Sequence, residues 1–322
     1  MGSPIPNDGH FLLITLAVTV VYQLSFFVVA FACKFDKVTD FAGGSNFVVL
    51  AILTFCLGGK YYIRQIVVTA AVCLWGVRIS GFLLYRVIKM GKDDRFDEAR
   101  EKFFVFLGFW IFQMIWVWCG CLPTTFLNAT NYDLGTNARD IAGLIMFAIG
   151  FFFECVGDLQ KDSFKSNGGR GVCQKGLWYY TRHPNYFGDM LQWWGIFTVC
   201  STVFVPPAEE KEASWGYATI SGPIFITASL DILLFASGIP TVESSWDKKY
   251  GGSADYWDYK ERTSILFPMP PALFKRLPKS LKALVFCEWP MYTGAQNAQR
   301  AQQSEQSGET SPLASPHMPS SP

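Results

Sequence analysis

The clearest candidates for chemistry lie in one polar segment, residues 176–189, which leads into an apolar stretch. Pro184 predicts that a helix begins there, because proline lacks the N–H that would be unpaired in a first turn. Asn185 and Asp189 are four residues apart and therefore share one face of that helix. An amide and a carboxylate on one face suit a ligand that carries hydroxyl and carboxamide groups.

Two further polar side chains, Arg182 and His183, directly precede this helix. The positive end of a helix favours phosphate, and a guanidinium binds phosphate in two places at once. The segment therefore predicts a site for a phosphate-bearing ligand. The alternative is an interfacial belt, in which the same side chains extend from the helix end to the membrane surface.

Two other segments could contribute to the same site. Asp158 and Lys161 share a face at the end of an apolar run, where they could orient a ligand and bind its phosphate. Glu243 and Tyr250 recur at helical spacing within residues 237–251, which could turn an acid and a phenol toward the other two segments. Taken alone, the first pattern is more typical of a solvated helix end. The second is equally typical of a surface helix with an aromatic anchor.

The composition indicates a membrane protein. Of the 322 residues, 50% are hydrophobic and 16% are charged, whereas a soluble domain averages about 25% charged residues. The formal net charge of +1 gives no indication of nucleic-acid binding. Nine Cys without a CxxC pair, and three His, lack the spacing of a metal site. We therefore expect the lipid bilayer as a partner, and neither nucleic acid nor metal.

Hydropathy predicts an all-α, polytopic integral membrane protein of about seven transmembrane helices, since a span needs roughly 20 apolar residues. The predicted spans are 11–32, 46–59, 65–88, 103–122, 140–156, 188–206 and 216–238. Arg78 and Asp231 fall within spans, where an ionised side chain costs at least about 2.5–3.5 kcal/mol and is functional or paired by default. Residues 1–292 are predicted to form one membrane-embedded domain, and the polar residues 293–322 a disordered tail.

The Lys and Arg residues predict the orientation. They concentrate in the segments 86–102 and 158–187, which the positive-inside rule places in the cytoplasm. The segments 123–139 and 207–215 hold one basic residue each and are predicted on the opposite side. The N-x-[ST] triplet that begins at Asn128 agrees with that side. The candidate ligand site then lies at the cytoplasmic ends of the C-terminal helices.

The chain resembles the DUF1295 group of the steroid 5-alpha-reductase-like membrane reductases, whose relatives include the sterol C14 and delta-7 reductases. The resemblance runs in order through residues 74–80, 93–96, 158–160 and 176–188, and on to Pro268. Its most specific part is Gly-Leu-Trp followed by Arg-His-Pro-Asn-Tyr-Phe-Gly. The family often has Glu at the position of Asp189, and the sterol reductases have Asp there.

The resemblance implies a helical bundle that holds NADPH at the cytoplasmic ends of the later spans. Hydride transfer would reduce a carbon–carbon double bond in a steroid, sterol or other lipid. The residues implied to bind the cofactor are Asp158, Lys161, Arg182, His183, Asn185, Tyr186, Asp189, Glu243, Tyr250 and Tyr259. The reaction also needs a proton donor, and the candidates are Tyr85, Tyr179 and Tyr180.

Two other functions fit parts of the same pattern. Isoprenylcysteine and phospholipid methyltransferases share Arg-His-Pro-x-Tyr and a downstream acidic helix, but bind S-adenosylmethionine. Asn185 and the pair Gln160-Lys161 favour the reductase. A lipid-binding scaffold that keeps the fold without turnover is the third alternative. In a eukaryotic cell we expect the endoplasmic reticulum membrane.

Overall fold

The computed structural model describes residues 8–34, 38–90, 101–204, 211–231 and 239–289. These residues contain no strand, and one isolated bridge pairs Thr181 with Ser264. The helices are α1 Leu12–Ala32, α2 Thr39–Gly58, α3 Ile63–Met90, α4 Phe103–Ala129, α5 Ala138–Ser166, α6 Pro184–Cys200, α7 Ser221–Asp231, α8 Ile239–Tyr250, α9 Ala254–Arg262, α10 Pro271–Phe274 and α11 Lys279–Phe286. The predicted all-α class is confirmed.

Five helices, α1 to α5, are long and apolar enough to cross a membrane. Helices α6 and α7 overlap the sixth and seventh predicted spans, and they have 17 and 11 residues within the described ranges. The count of seven transmembrane helices therefore stays a prediction. The predicted tail, residues 293–322, and the motif residues 93–96 lie outside the described residues, as does the side chain of Asp231.

The chain divides into two compact units. The first comprises Met1–Val156 and Asn185–Leu234, and contains α1 to α4, most of α5, nearly all of α6, and α7. The second comprises Gly157–Pro184 and Phe235–Pro322, and contains the end of α5 and the helices α8 to α11. The prediction of one domain over residues 1–292 stays a prediction.

An aromatic cluster forms the centre of the first unit. Helix α2 packs on α3 and α4, α1 packs on α2 and α4, and α4 packs on α7. Where α2, α3 and α6 meet, the rings of Phe47, Trp75 and Trp193 are 4.9–5.0 Å apart. Tilted and edge-to-face pairs at this separation are favourable arrangements of aromatic rings. The cluster therefore fixes α6 against the N-terminal helices.

Buried amides join the N-terminal helices of the first unit. The Nε2 group of Gln23 donates to Asn46 Oδ1 at 3.1 Å, and Gln113 Nε2 donates to Gln23 Oε1 at 3.0 Å. Such hydrogen bonds stabilise helix pairs in lipid, where an unsatisfied polar group has no water. The side chain of Asn128 is also buried in the first unit, where it is only 1% exposed. Its Nδ2 donates to Thr54 Oγ1 at 3.0 Å. The triplet at Asn128 therefore gives no support to the predicted orientation.

Arg78 is paired within the first unit. Its Nη1 donates to Glu154 Oε1 at 2.5 Å and its Nη2 donates to the carbonyl of Glu154 at 3.1 Å. Glu154 also accepts hydrogen bonds from Trp75 Nε1 at 3.1 Å and Gln192 Nε2 at 2.6 Å. Pairing and full hydrogen bonding are what make a buried charge tolerable. The expectation that Arg78 is functional or paired is thus met by an ion pair between α3 and α5.

Helices α5 and α6 approach each other through glycines. A Cβ atom on Gly150 would lie 2.6 Å from the carbonyl oxygen of Gly188 and 2.6 Å from the backbone nitrogen of Gln192. A Cβ on Gly188 would lie 2.5 Å from the carbonyl oxygen of Gly150. Backbone atoms cannot rotate away as side chains can. The close approach of α5 and α6 in the first unit therefore requires glycine at these two positions.

We expect Gly150→Ala to destabilise the first unit by about 1–3 kcal/mol, the usual range for an extra methyl group in a full interior. Gly108→Ala in α4 is the matched control, since a Cβ there meets no atom within 4 Å. That control should be neutral or slightly stabilising, because alanine loses less entropy in a helix than glycine. Thermal unfolding of the two purified variants in detergent measures the difference. Equal Tm values would contradict the packing described for α5 and α6.

Candidate functional site

The specific motif begins with a tight turn in the second unit. Residues 176–179 form a 3-10 turn, and Gly176 has a φ of 63°, a left-handed conformation that favours glycine. The N–H of Leu177 donates to Gln160 Oε1 at 2.9 Å, and Trp178 Nε1 donates to the carbonyl of Gly157 at 2.9 Å. The turn is thereby attached to the end of α5.

The next residues are attached to the segment after α9. Thr181 Oγ1 donates to the carbonyl of Leu266 at 2.8 Å, and the N–H of Arg182 donates to the carbonyl of Ser264 at 2.8 Å. The hydroxyl of Tyr259 donates to the carbonyl of Trp178 at 2.7 Å. Helix α6 then begins at Pro184, as the sequence predicts. The motif loop is therefore held on both sides before it enters α6.

A buried ionic cluster, formed by Arg182, His183, Glu243 and Lys260, fixes the loop. The two oxygens of Glu243 contact three of its members: His183 Nε2 at 2.9 Å, Arg182 Nε at 3.3 Å and Lys260 Nζ at 3.1 Å. Arg182 is 1% exposed, and its Nη2 also donates to Glu288 Oε1 at 2.8 Å. Its Nη1 donates to the carbonyl of Lys260 at 2.7 Å. Arg182 is thus enclosed by acceptors from α8, α9 and the segment after α11.

The charges of this cluster set its protonation states. Burial alone would raise the pKa of Glu243, but the charge of Arg182 and the hydrogen bond of His183 hold that pKa well below its usual range. Burial lowers the pKa of His183, and the hydrogen bond to Glu243 opposes this shift. Because a carboxylate can only accept, Nε2 of His183 carries a proton that points at Glu243. His183 therefore acts as a donor within the cluster.

Lys161 lies against aromatic rings in the second unit. Its Nζ atom is 4.9 Å from the ring centre of Trp178 and 5.5 Å from that of Trp246. The ring of His183 stacks on Trp246 with centres 5.3 Å apart and planes 10° apart. Lys161 and Trp246 are half-buried, so part of each reaches the surface. A cation beside an accessible aromatic ring can bind a ligand that carries both a planar ring and an anion.

The predicted cofactor residues belong to both compact units. Besides the ionic cluster and Lys161, the second unit contains Asp158, which is buried, and Tyr250 and Tyr259, which pack in one aromatic core with Tyr256. The first unit contains the remaining predicted residues, Asn185, Tyr186 and Asp189, and there Asp189 Oδ1 accepts from Gln192 Nε2 at 3.3 Å.

The three candidate proton donors also divide between the units. Tyr85 belongs to the first unit and is 53% exposed, and Lys89 Nζ lies 5.3 Å from its ring centre. Tyr179 and Tyr180 belong to the second unit, are exposed, and contact each other edge to face at 5.2 Å. Tyr179 directly follows the buried Trp178, so its position is fixed by the same turn.

Sequence reasoning missed two members of the site, Lys260 and Glu288. Lys260 has a weak signal, because Tyr256, Tyr259 and Lys260 lie on one helical face, which is the buried face of α9. Glu288 has no such signal, since it follows α11 as a single acid in an apolar and basic segment. Only the structure shows that both acids, Glu243 and Glu288, contact Arg182.

The apolar helices α1 to α5 define the chain as a helical, polytopic membrane protein. It belongs to the DUF1295 family, whose description is "Protein of unknown function (DUF1295)" and which matches residues 26–263. This confirms the family resemblance of the motif. Comparison with curated proteins gave no match, and comparison with solved structures gave none either.

Proposed function

We propose that this protein is a membrane-bound, NADPH-dependent oxidoreductase that reduces a carbon–carbon double bond in a steroid, sterol or other lipid. The proposal rests on one observation, the association of Lys161 with Trp178, Trp246 and the stacked ring of His183. A half-buried cation beside an accessible indole fits a nucleotide, which offers planar rings and phosphates. The resemblance of the motif to membrane reductases supports the same chemistry. In a eukaryotic cell we place the protein in the endoplasmic reticulum membrane.

The ionic cluster holds the motif loop and the ring of Trp246 in position beside Lys161. Because Glu243 and Glu288 contact the guanidinium of Arg182, we assign Arg182 the role of holding the loop. His183 orients Trp246 by stacking while its Nε2 is fixed by Glu243. Lys161, with Lys165 and Arg170 on the same unit, supplies the positive charge for phosphate groups. The roles of Asn185, Tyr186 and Asp189 in the cofactor site stay predictions.

The proposed reaction gives two tasks to the chain. Bound NADPH would supply a hydride to the β-carbon of a conjugated alkene. The chain must exclude water from the reacting groups and place an acid near the conjugated oxygen. Tyr85, Tyr179 and Tyr180 are our candidates for that acid, and replacing each with Phe removes the phenolic proton while it keeps the ring.

The cofactor preference tests this proposal. NADPH carries a 2′-phosphate that NADH lacks, and a charge-assisted hydrogen bond contributes roughly 1.5–3 kcal/mol. NADPH should therefore bind at least about tenfold more tightly than NADH. Lys161→Ala and Arg170→Ala should erode this preference more than they weaken NADH binding. Fluorescence titration in nanodiscs at low salt, where such contacts are least screened, measures both affinities.

Lys248→Ala is the control for the loss of one positive charge, because Lys248 lies exposed on α8. It should leave both affinities unchanged. Equal affinity of the parent protein for NADPH and NADH would contradict the assignment of the basic residues. Saturable binding of S-adenosylmethionine without binding of NADPH would favour the methyltransferase instead.

A further inference from the structure

Among the described residues, the last two helices of the second unit are the short helices α10 and α11. We call residues 271–287, which include α10 and α11, the α10–α11 platform. The buried rings of Phe274 and Phe286 pack edge to face with centres 5.4 Å apart. Directly after the platform, Glu288 accepts a hydrogen bond from the buried Arg182 at 2.8 Å. The platform is thus anchored at its inner side.

The outer side of the platform is apolar. Leu281, Leu284 and Val285 are spaced i, i+3 and i+4, and so form one face of α11, opposite the buried Phe286. All three are exposed, and Leu284 is 83% exposed. A surface helix in water turns its apolar face to the core and its polar face outward. On α11 the outward face is apolar, which marks an interaction surface.

Exposed cations lie in the segment that leads into α11 and at the first residue of that helix. Lys275, Arg276 and Lys279 are exposed, and residues 263–287 contain no Asp or Glu. Exposed leucines flanked by Lys and Arg are typical of a helix that lies in the interface of a bilayer. The cations attract anionic headgroups, and the apolar face enters the boundary of the acyl chains. The same chain has five helices that are long and apolar enough to cross a membrane, so a bilayer is the expected surroundings of the whole protein.

We propose that the α10–α11 platform docks on the anionic surface of the bilayer that holds the protein. Leu281, Leu284 and Val285 enter the boundary between headgroups and acyl chains, and Arg276 and Lys279 contact anionic lipid headgroups. This function is independent of the proposed reductase activity. It gives the second unit its own attachment to the membrane surface, and makes that attachment dependent on lipid composition.

Photo-crosslinking in the full-length protein tests this proposal. A benzoylphenylalanine replaces Leu284 in one variant and Ser244, an exposed residue of α8, in the control. Both proteins are placed in nanodiscs of phosphatidylcholine with or without phosphatidylserine, irradiated, and analysed for lipid adducts by mass spectrometry. At position 284 we expect about fivefold more lipid adducts in discs with phosphatidylserine than in discs without it, the ratio that one contact between a cation and an anionic headgroup gives. Position 244 should give fewer lipid adducts than position 284 in both kinds of disc.

Arg276→Glu combined with Lys279→Glu tests the charge contribution. Lys275 and Lys282 stay unchanged, because Lys275 pairs with Asp258 at 3.7 Å and Lys282 Nζ lies 4.3 Å from the ring centre of Phe274. The double variant should lose most of the adducts at position 284 in anionic discs. Equal adduct yields at positions 284 and 244, or yields that ignore phosphatidylserine, would overturn the proposal. Adducts to protein rather than lipid would overturn the bilayer as the occupant of this face.

Discussion

Glu243→Ala should unfold much of the second unit. We expect its free energy of unfolding to fall by about 3–5 kcal/mol, the cost of removing one partner from a buried ion pair. Arg182 and Lys260, which are 1% and 3% exposed, would then lie buried without their shared carboxylate. Ser244→Ala on the exposed side of the same helix is the control, and should change stability by less than about 0.5 kcal/mol. Hydrogen exchange of residues 239–262 in the two variants measures the effect locally.

The acid dependence of this cluster has a defined sign. The pKa of Glu243 is lowered in the folded protein, so its contribution to stability is present above the unfolded pKa and is lost as pH falls through the folded pKa. The pKa of His183 is lowered by burial, so protonation of the unfolded chain below about pH 6.5 also opposes folding.

The hydrogen-exchange rates of Glu243→Ala and Ser244→Ala decide whether the ionic cluster stabilises the second unit. Equal rates in the two variants would show that it does not.

Asp140→Ala should destabilise the first unit by a similar amount, about 3–5 kcal/mol. Arg64 is buried and donates twice to Asp140, from Nε to Oδ1 at 2.7 Å and from Nη2 to Oδ2 at 2.9 Å. Asp140 also accepts the N–H of Asn137 at 2.8 Å, which caps the start of α5. The substitution therefore removes a bidentate partner and a helix cap together.

Asp133→Ala is the matched control, because Asp133 also contacts Arg64, at 3.1 Å, but its side chain is 38% exposed. Because solvent screens such an ion pair, Asp133→Ala should lower the free energy of unfolding by less than about 1 kcal/mol. Thermal unfolding of both variants in detergent compares them directly. If Asp133→Ala lowers the Tm as much as Asp140→Ala does, burial does not determine the strength of these contacts.

The spans were the most predictable feature, because long apolar runs are the signal that lipid requires. The predicted spans at residues 11–32 and 65–88 agree closely with helices α1 and α3. Helix α2 begins at Thr39 rather than at residue 46, and polar groups in its first turns have partners on other helices. Ser45 Oγ hydrogen-bonds the hydroxyl of Tyr22 at 2.9 Å, and Gln113 Nε2 donates to the carbonyl of Thr39 at 3.0 Å. Such partners lie far along the chain and leave no local pattern.

Helices α4 and α5 extend beyond their predicted ends for different reasons. Helix α4 continues past Pro123 to Ala129, since a proline removes only one hydrogen bond and lipid-facing helices tolerate the loss when neighbours pack closely. Helix α5 continues from 156 to Ser166 in polar residues. Hydropathy measures the span in the membrane, and cannot show how far a helix extends into water.

The candidate site was predictable in its parts but not in its arrangement. The start of α6 at Pro184, directly after Arg182 and His183, follows from local rules. The enclosure of Arg182 by Glu243 and Glu288 does not, because these contacts depend on how α8, α9 and α11 pack. The role of Arg182 in binding a phosphate stays a prediction, and its contacts with the two acids are what the structure adds.

The transfer of deuterium from labelled NADPH to lipid tests the central claim most directly. Purified protein in nanodiscs is incubated with a membrane lipid extract and NADPH that carries deuterium at C4, in each stereochemical form separately. We expect a lipid product that has gained one deuterium and one proton with one of the two forms, and Asp189→Ala should reduce its yield. No deuterated lipid with either form, together with transfer of a labelled methyl group from S-adenosylmethionine to lipid, would contradict the account.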